Sequence, residues 1–325
     1  MRAALIAVLL AAPPAARAAQ MDVGMASAQF LQIGGGARAL GMGEAYTAAA
    51  DGPDAVYWNP AGLSRMSRPE ATYSRAELPA GLSHDFLAVG FPSAPLRGTL
   101  AFAVTRLSQD SLALVNASNQ PQGAFSPHSE AYALAYGHDF AAKGIAAASD
   151  GAREPSTRGL AVGASIKYIN ENLGTRSAAA YAFDGGFLFR PRSRPELILA
   201  GAVRNFGSKL TFISDREPLP AETALSAAYE ARGGDWRLLP ALEIDLPDAG
   251  SVNGRIGVEA AREFSGGMSA AVRLGYESVS AVDLGILSGF TAGVGLQAGK
   301  LSFDAAFQPM ALLGESFRLG AGWKF

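Results

Sequence analysis

The sequence predicts an all-β membrane protein, a 14-stranded antiparallel transmembrane β-barrel with an N-terminal helical plug or hatch segment. Three observations lead to this prediction. Apolar and polar residues alternate with period two in segments of about ten residues, the length of a tilted membrane strand. The number of these segments is even, and short and long connections alternate between them. Beyond the N-terminus, no stretch has the roughly 18 uninterrupted apolar residues of a spanning helix.

The first residues are typical of a secretory signal peptide. An N-terminal arginine precedes an apolar run from Ala3 to Ala12, and Ala16-Arg17-Ala18 fits the A-x-A pattern of a signal-peptidase site. A membrane anchor would need about 20 apolar residues. Residues 1–18 are therefore expected to be a cleaved signal peptide, which predicts a protein of the cell outer membrane. The chain has no cysteine, which excludes a disulfide framework.

Composition supports a membrane location and argues against nucleic acid as a partner. Hydrophobic residues make up 49% of the chain and charged residues only 17%, against about 25% charged residues in soluble domains. Without Arg2 and Arg17 of the signal, 25 basic residues face 29 acidic ones. No basic stripe is available to displace counterions from a nucleic acid. The expected partner is instead outer-membrane lipid.

The segment between the signal and the first strand, residues 19–68, lacks the strand pattern. "ARALGMGEAYTAAA", residues 37–50, predicts an Ala-rich helix that two internal glycines weaken. Asp51 and Gly52 are expected to cap a second helix, with Pro53 at its first position. That helix must end at Asn59, since the residue before a proline avoids the helical region.

The end of this helix carries the motif Trp58-Asn59-Pro60-Ala61-Gly62. Asn59 is expected to close an Asx-type turn, and Pro60 presets the first corner of that turn. We interpret the motif as a structural stop and turn just before the first strand. Trp58 is expected to pack against the barrel wall or a helix of the same segment.

The strands fill residues 69–325, the predicted barrel. Their expected ranges are 70–76, 85–92, 98–106, 130–138, 158–170, 179–190, 195–204, 222–231, 235–246, 253–264, 267–277, 287–298, 300–308 and 316–325. Short connections are predicted at the periplasmic end and longer ones at the extracellular end. The connection at 139–157 is an exception, because it is long where a short turn is due.

The last strand shows the alternation clearly. Phe317, Trp323 and Phe325 fall on one face, and Arg318 and Lys324 fall on the other. The outward face is expected to contact lipid. The aromatic end with its terminal Phe325 resembles the signal that barrel-assembly machinery recognises, so Phe317, Trp323 and Phe325 are the predicted assembly signal.

The inward face consists mostly of small residues, which leaves room inside the barrel. These are Ala101, Ala103, Ala133, Ala135, Gly163, Ala202, Gly257, Gly275, Gly293, Gly295, Gly320 and Gly322. A barrel of fourteen strands is wider than one that its own side chains fill. Residues 19–68 are therefore predicted to fold inward as a plug. Arginine at Gly275 is expected to be better tolerated than at the lipid-facing Val272, unless it meets this plug.

Charges of both signs also face inward. They are Lys167, Arg204, Arg237, Arg255, Arg273, Arg318 and Lys324 against Glu243, Asp245, Glu259, Glu277 and Asp304. This mixture differs from the single-sign ring of an ion-selective constriction. The charges are expected to pair with one another or to hold the plug.

A soluble β-sandwich and an enzyme are the alternatives. Fourteen strands in an open sheet would leave edges that need protection, and in lipid only closure satisfies the strand edges. His84 and His128 are expected in or near extracellular loops, and His138 at a periplasmic strand end. A pair of His128 with Ser126 or Ser129 has no acidic partner at a recognisable spacing, so no catalytic site is predicted.

The acidic residues of the N-terminal segment do not match a metal-binding pattern. Glu44, Asp51 and Asp54 lack the spacing of an EF-hand or a zinc site. "GGGARALGMG", residues 34–43, does not follow a strand and lacks the Lys-Ser/Thr of a phosphate-binding loop. No metal and no cofactor is predicted.

"GARALGMGEAYTAAADGPDAVYWNPAGL", residues 36–63, resembles the N-terminal signature of the PorV/PorQ family, itself similar to the FadL group of hydrophobic-compound transporters. "AVRNFGSKLTF" and "EPLPAETALSAAYE" resemble the PorV middle region. The resemblance implies a segment ending in Asn-Pro-Ala ahead of a fourteen-stranded barrel.

The resemblance implies two functions. A PorV-like protein receives secreted cargo in type IX secretion and brings it to a cell-surface attachment complex, with secretion-system proteins as partners. A FadL-like protein passes a hydrophobic small-molecule ligand across the outer membrane. The closer motif match favours the secretion function, and no sequence segment suggests the large apolar extracellular groove of an importer.

Overall fold

The computed structural model describes residues 26–93, 95–140, 158–174, 176–212 and 216–325, and the structural statements below refer to these residues. The expected signal peptide and most of the 139–157 connection lie outside them. Fourteen antiparallel strands form the barrel: β1 Glu70–Leu78, β2 Leu82–Ser93, β3 Gly98–Gln109, β4 His128–Asp139, β5 Gly159–Asn172, β6 Ser177–Arg190, β7 Leu197–Gly207, β8 Glu222–Tyr229, β9 Trp236–Pro247, β10 Asn253–Phe264, β11 Met268–Glu277, β12 Phe290–Ala298, β13 Leu301–Pro309 and β14 Glu315–Lys324.

The sheet is closed. Each strand pairs with its neighbours in sequence, and β1 pairs with β14 from Glu70 opposite Lys324 to Glu77 opposite Phe317. Closure leaves the barrel without the exposed sheet edge that lipid cannot satisfy. The predicted fourteen-stranded antiparallel barrel is therefore confirmed.

The barrel wall separates apolar and polar side chains as the alternation predicts. On β11, Leu274 is 62% exposed on the outer surface, whereas the neighbouring Arg273 is 5% exposed and faces the lumen. Phe317, Trp323 and Phe325 also lie on the outer surface. Every helix of the described ranges is too short or too polar to cross a membrane.

The longer connections lie at one end of the barrel, the end predicted to be extracellular and called so below, and carry small elements of their own. Short strands pair Leu112–Val115 with Pro121–Phe125, and Leu210–Thr211 with Arg216–Glu217. At the opposite end, Ala231–Gly233 extends β8 beside β9. The helices outside the lumen are α3 Ser278–Leu284 and the 3-10 helices Pro79–Gly81, Ile286–Gly289 and Ala311–Leu313.

One extracellular connection is shorter than expected. The turn between β1 and β2 is only Pro79–Gly81, and left-handed backbone at Ala80 and Gly81 makes it possible. His84 therefore lies within β2, where it is 1% exposed, and the prediction of a loop position is wrong. The alternation was hidden here because both faces of β2 carry apolar residues, with Phe86 pointing inward.

Residues 26–66 lie inside the barrel, and we call them the inner segment. Its elements are a 3-10 helix at Gln29–Gln32, helices α1 Ala37–Gly41 and α2 Ala55–Trp58, and a 3-10 helix at Pro60–Arg65. Most of its side chains are fully buried. The wall and the inner segment share the main hydrophobic cluster, which includes Phe86 and Ala101 of the wall beside Trp58.

The expected Ala-rich helix over residues 37–50 is wrong beyond α1. Gly43 and Glu44 both have left-handed backbone, with φ of 60° and 58°. From there the backbone bonds to the wall, as the Gly43 amide donates to Thr291 Oγ1 at 2.9 Å and the Thr47 amide to Glu243 Oε2 at 2.7 Å. These tertiary hydrogen bonds replace helical ones.

Candidate functional site

The candidate site is the barrel lumen and the inner segment that occupies it. The segment begins at the extracellular end, where the Ser27 amide donates to the Pro218 carbonyl at 2.9 Å. It leaves at the periplasmic end, where it leads into β1 and where the Phe325 amide donates to the Pro69 carbonyl. The segment therefore traverses the lumen.

The predicted stop and turn is present at Asn59. Helix α2 ends at Trp58, Asn59 is extended, and its side-chain oxygen accepts from the Ala61 amide at 3.1 Å. Asn59 Nδ2 donates to the carbonyl of Thr47 at 3.2 Å and to that of Phe187 on β6 at 3.1 Å. One buried amide thus joins two parts of the inner segment to the wall.

The expected cap at Asp51 is wrong. Asp51 Oδ1 instead lies 2.5 Å from Arg38 Nη1, which draws the carboxylate away from α2. Asp54 precedes α2, but its side chain makes no cap and accepts from Thr72 Oγ1 at 2.7 Å. Burial raises the pKa of Asp54 to about 6.

Trp58 lies at the centre of the inner segment. It is 1% exposed, and its indole donates to the Gly35 carbonyl at 2.8 Å. The ring of Tyr57 meets it edge-on with centroids 4.9 Å apart. The guanidinium carbons of Arg204 and Arg255 lie 5.4 and 6.0 Å from the indole ring, within the range of a cation–π contact. Trp58 therefore contacts both the segment and the wall.

Inward glycines allow the backbone of the inner segment to approach the wall. A Cβ at Gly163 would overlap Pro60 and Ala61, and one at Gly275 would overlap Gly43. Burial of Ala61 is complete. The space left by the small inward residues of the wall is thus occupied by backbone of the inner segment.

The first of two charged clusters centres on Glu259 of β10, which is fully buried. Its carboxylate accepts from three arginines, Arg38 of α1 at 2.7 Å, Arg273 of β11 at 2.6 Å and Arg237 of β9 at 2.5 Å. Arg273 also pairs with Asp304 at 2.6 Å. This Glu259 cluster fixes α1 to the wall.

The second cluster joins Glu44 of the inner segment to the wall, and we call it the Glu44 cluster. Its members are Glu44, Arg204, Glu222, Glu243, Asp245, Arg255, Glu277 and Arg318. Thr47 donates to Glu243 through both its amide and its hydroxyl, at 2.7 and 2.8 Å. The mixed inward charges of the sequence thus hold the inner segment, as expected.

An apolar cluster lies at the extracellular end of the lumen. Its members are Ala28, Phe30, Leu31, Ala131, Ile169, Ala178, Ala180, Ala182, Leu210 and Leu219. Leu210 and Leu219 come from the connection between β7 and β8, which folds over the inner segment. No single sequence segment could reveal this cluster, because the inner segment, three strands and the connection between β7 and β8 all contribute to it.

A polar cavity of about 380 Å³ lies at the periplasmic end. Arg65, Glu70, Arg190, Glu230 and Lys324 are among the residues that line it. Arg190 pairs with Glu230 at 2.9 Å. The two ends of the lumen therefore differ, since one is apolar and filled and the other is charged and partly empty.

The three histidines do not come together. His84 is buried in β2, His128 begins β4 and its ring contacts the Ser126 carbonyl at 3.3 Å, and His138 packs against Phe140 with ring centroids 4.7 Å apart. Within the described ranges, no three acidic or histidine side chains are grouped so as to hold a metal ion.

Comparisons with solved structures show that other barrels share this fold. The Pseudomonas putida toluene transporter TodX has a TM-score of 0.54 and 11% identity, covering 89% of this chain and 96% of TodX. The Ralstonia pickettii toluene transporter TbuX has a TM-score of 0.54 and 12% identity, covering 90% and 98%. The monoaromatic hydrocarbon channel CymD has a TM-score of 0.51 and 12% identity, covering 90% and 98%.

The sequence itself matches no protein-family description and no curated protein. The likeness to these solved structures shows the shared barrel fold alone. The finer PorV/PorQ assignment stays a prediction. The architecture supports the expected outer-membrane location.

Proposed function

We propose that the protein is an outer-membrane channel for small hydrophobic molecules and that the inner segment is its plug. The observation that carries this proposal is the shared barrel, which spans about nine-tenths of this chain and nearly all of TodX and TbuX. Both of those proteins are named as toluene transporters. Transport of a hydrophobic ligand was the second of the two functions that the sequence resemblance implied, and the fold neighbours support it better than secretion.

The contents of the lumen support the same function. A diffusion pore for polar solutes needs a continuous water-filled path, whereas here the inner segment packs against the wall with fully buried residues such as Ala39, Thr47 and Leu63. The apolar cluster offers a different route at the extracellular end. A small hydrophobic molecule fits there when Phe30 and Leu31 move aside, because the surrounding wall is apolar.

Uptake of radiolabelled toluene by cells that produce the protein tests this function. We expect faster uptake with the protein than without it. Leu219→Asp should slow uptake several-fold, since it places a carboxylate in the apolar cluster. Glu217→Gln, an exposed change in the same connection, is the matched control and should act like the unchanged protein. Equal uptake with and without the protein would rule out the proposed function.

The plug role has its own test in planar lipid bilayers. Deletion of residues 27–50 should raise single-channel conductance, because the small inward residues leave a passage once the segment is gone. The barrel itself should still form, since its strands pair without the segment. A truncated barrel that inserts and conducts no more than the full chain would contradict a plug.

Protein secretion is the second candidate function. It rests on residues 36–63, whose motif resembles the PorV/PorQ signature more closely than that of the transporters. Neighbouring genes for type IX secretion components, and crosslinking of the barrel to secreted cargo, would favour it. Genes for hydrocarbon breakdown beside this one would favour transport.

A further inference from the structure

Glu44 occupies an unusual place in the inner segment. Its backbone is left-handed, with φ of 58°, a conformation that is unfavourable for a residue with a Cβ. Its carboxyl group is buried in the lumen, and Glu44 is 8% exposed. A strained backbone that places a buried acid indicates a role for that acid.

Charged and titratable groups of the wall and of α2 face Glu44. Arg255 of β10 lies 3.6 Å away and Arg318 of β14 lies 3.8 Å away, both beyond hydrogen-bond distance. The other groups facing it are Asp245 of β9, Glu277 of β11 and Tyr57 of α2. Glu44 is thus surrounded by charges and makes no direct hydrogen bond to an arginine.

The Glu44 cluster holds more acids than bases. Five carboxyl groups, those of Glu44, Glu222, Glu243, Asp245 and Glu277, face three guanidinium groups, those of Arg204, Arg255 and Arg318. If all were ionised, the cluster would carry two excess negative charges in a buried site. Such an excess is costly in a medium of low dielectric constant, and binding a proton relieves it.

The hydrogen bonding of the cluster is also incomplete. The buried atoms Arg255 Nε, Arg255 Nη1, Arg318 Nε and Asp245 Oδ2 have no hydrogen-bond partner within the described residues. Arg255 Nη1 and Asp245 Oδ2 lie 2.8 Å apart but lack hydrogen-bond geometry. By contrast, the Glu259 carboxylate accepts bonds from three arginines. The Glu44 cluster is therefore the weaker of the two attachments.

We propose that Glu44 is a proton-responsive latch, which holds the turn at residues 42–47 against the wall when protonated and loosens it when ionised. The proposal rests on the plug role of the inner segment and names its regulation. The neutral carboxyl leaves the charges of the cluster nearly balanced. The ionised carboxyl adds a further negative charge beside Asp245 and Glu277.

The direction of the pH dependence follows from the docked state. Burial is the largest cause that raises the pKa of Glu44 above its usual value, and the nearby Glu277 and Asp245 raise it further against Arg255 and Arg318. In a released segment the carboxyl has its ordinary pKa. Protonation therefore favours the docked state, so docking is strongest at low pH and weakens as pH rises through the raised pKa.

Thiol labelling measures release of the turn directly, because the chain has no cysteine of its own. Ala48→Cys places a thiol at a fully buried position beside the turn, and Ser251→Cys places one in an exposed connection. The full chain in lipid is treated with a maleimide between about pH 5 and about pH 8. The labelling rate of Ala48→Cys is divided by that of Ser251→Cys. This ratio cancels the pH dependence of thiol ionisation itself.

We expect this ratio to rise several-fold with pH. Glu44→Gln, which mimics the protonated acid, should hold the ratio at its low-pH value throughout. The matched control Glu315→Gln, at an exposed acid, should follow the unchanged chain. A ratio that does not change with pH would overturn the latch. Faster labelling in Glu44→Gln at every pH would also overturn it, because Glu44 would then be an ordinary ion-pair anchor.

The labelling does not depend on transport. A pH-dependent ratio without toluene uptake would leave the latch in place and reject the channel. Toluene uptake with a ratio that is the same at every pH would reject the latch and leave the channel in place.

Discussion

The barrel wall and the inner segment are stabilised by different interactions. In the wall, each strand repeats the same backbone pairing with two neighbours, and lipid-facing apolar residues cover one side. The inner segment has helices of only four to six residues and depends on contacts of its buried side chains with the wall, among them those of Trp58 and Asn59. We therefore expect the wall to form without the segment, whereas the segment depends on the wall for its structure.

This difference predicts two kinds of variant. Changes to the wall should affect insertion or stability of the whole barrel. Changes to the segment contacts should leave a barrel in the membrane and alter what fills it. The following predictions separate the two, from the largest expected effect to the smallest.

Replacement of both Trp323 and Phe325 by Ser should abolish most insertion. These side chains lie outward on the terminal strand, which we propose as the signal for the assembly machinery. The measurement is the amount of heat-modifiable folded barrel in outer-membrane fractions, beside protease-sensitive periplasmic protein. Normal outer-membrane levels would show that the terminal strand is not the signal. The matched control Phe303→Ser, outward on β13, should insert.

Glu259→Ala should destabilise the inner segment by about 3–5 kcal/mol, the cost of leaving buried arginines without their carboxylate. Arg38, Arg237 and Arg273 would all lose a partner. Glu263→Ala on the same strand removes an exposed acid and is the control. Hydrogen exchange of residues 37–41 measures the effect. Unchanged protection would mean that the cluster does not fix α1.

Val272→Arg should destabilise the barrel by about 2–4 kcal/mol, since its side chain faces lipid near the midplane. Gly275→Arg should also be poorly tolerated, although its lumen position suggested otherwise, because a Cβ there meets Gly43. The two should differ in kind. Val272→Arg should reduce refolding from urea into vesicles. Gly275→Arg should raise single-channel conductance, because it displaces the inner segment. Equal refolding losses and unchanged conductance would contradict the separation of wall and segment.

Asn59→Ala should cost about 1–3 kcal/mol, because the carbonyls of Thr47 and Phe187 lose a buried donor. Pro60→Ala should cost only about 0.5–1 kcal/mol, through greater freedom of the unfolded chain. Proteolysis of the inner segment in the inserted barrel measures both. A larger effect of Pro60→Ala would show that ring geometry, not hydrogen bonding, seats the turn.

The sequence predicted the wall well and the site only in part. Strand number, the facing of residues such as Arg273 and Leu274, and the helix stop at Asn59 all follow from local pattern. The wrong predictions were the Ala-rich helix past Gly41, the cap at Asp51 and the loop position of His84. At Gly43 and Asp51, contacts with residues distant in sequence outweigh local preference.

The physical reason is that strand pattern depends on neighbouring residues, whereas the contacts of the inner segment join residues far apart in the sequence. Period two is imposed residue by residue, because each strand must present one face to lipid and the other to the lumen. Sequence alone therefore determined the barrel and its closure. Only the tertiary structure decided which charges pair and where Phe30 and Leu31 meet an apolar wall. It also decided which wall glycines the backbone of the inner segment contacts. Those contacts join distant residues, such as Arg38 with Glu259 and Glu44 with Arg318, and no local pattern records them.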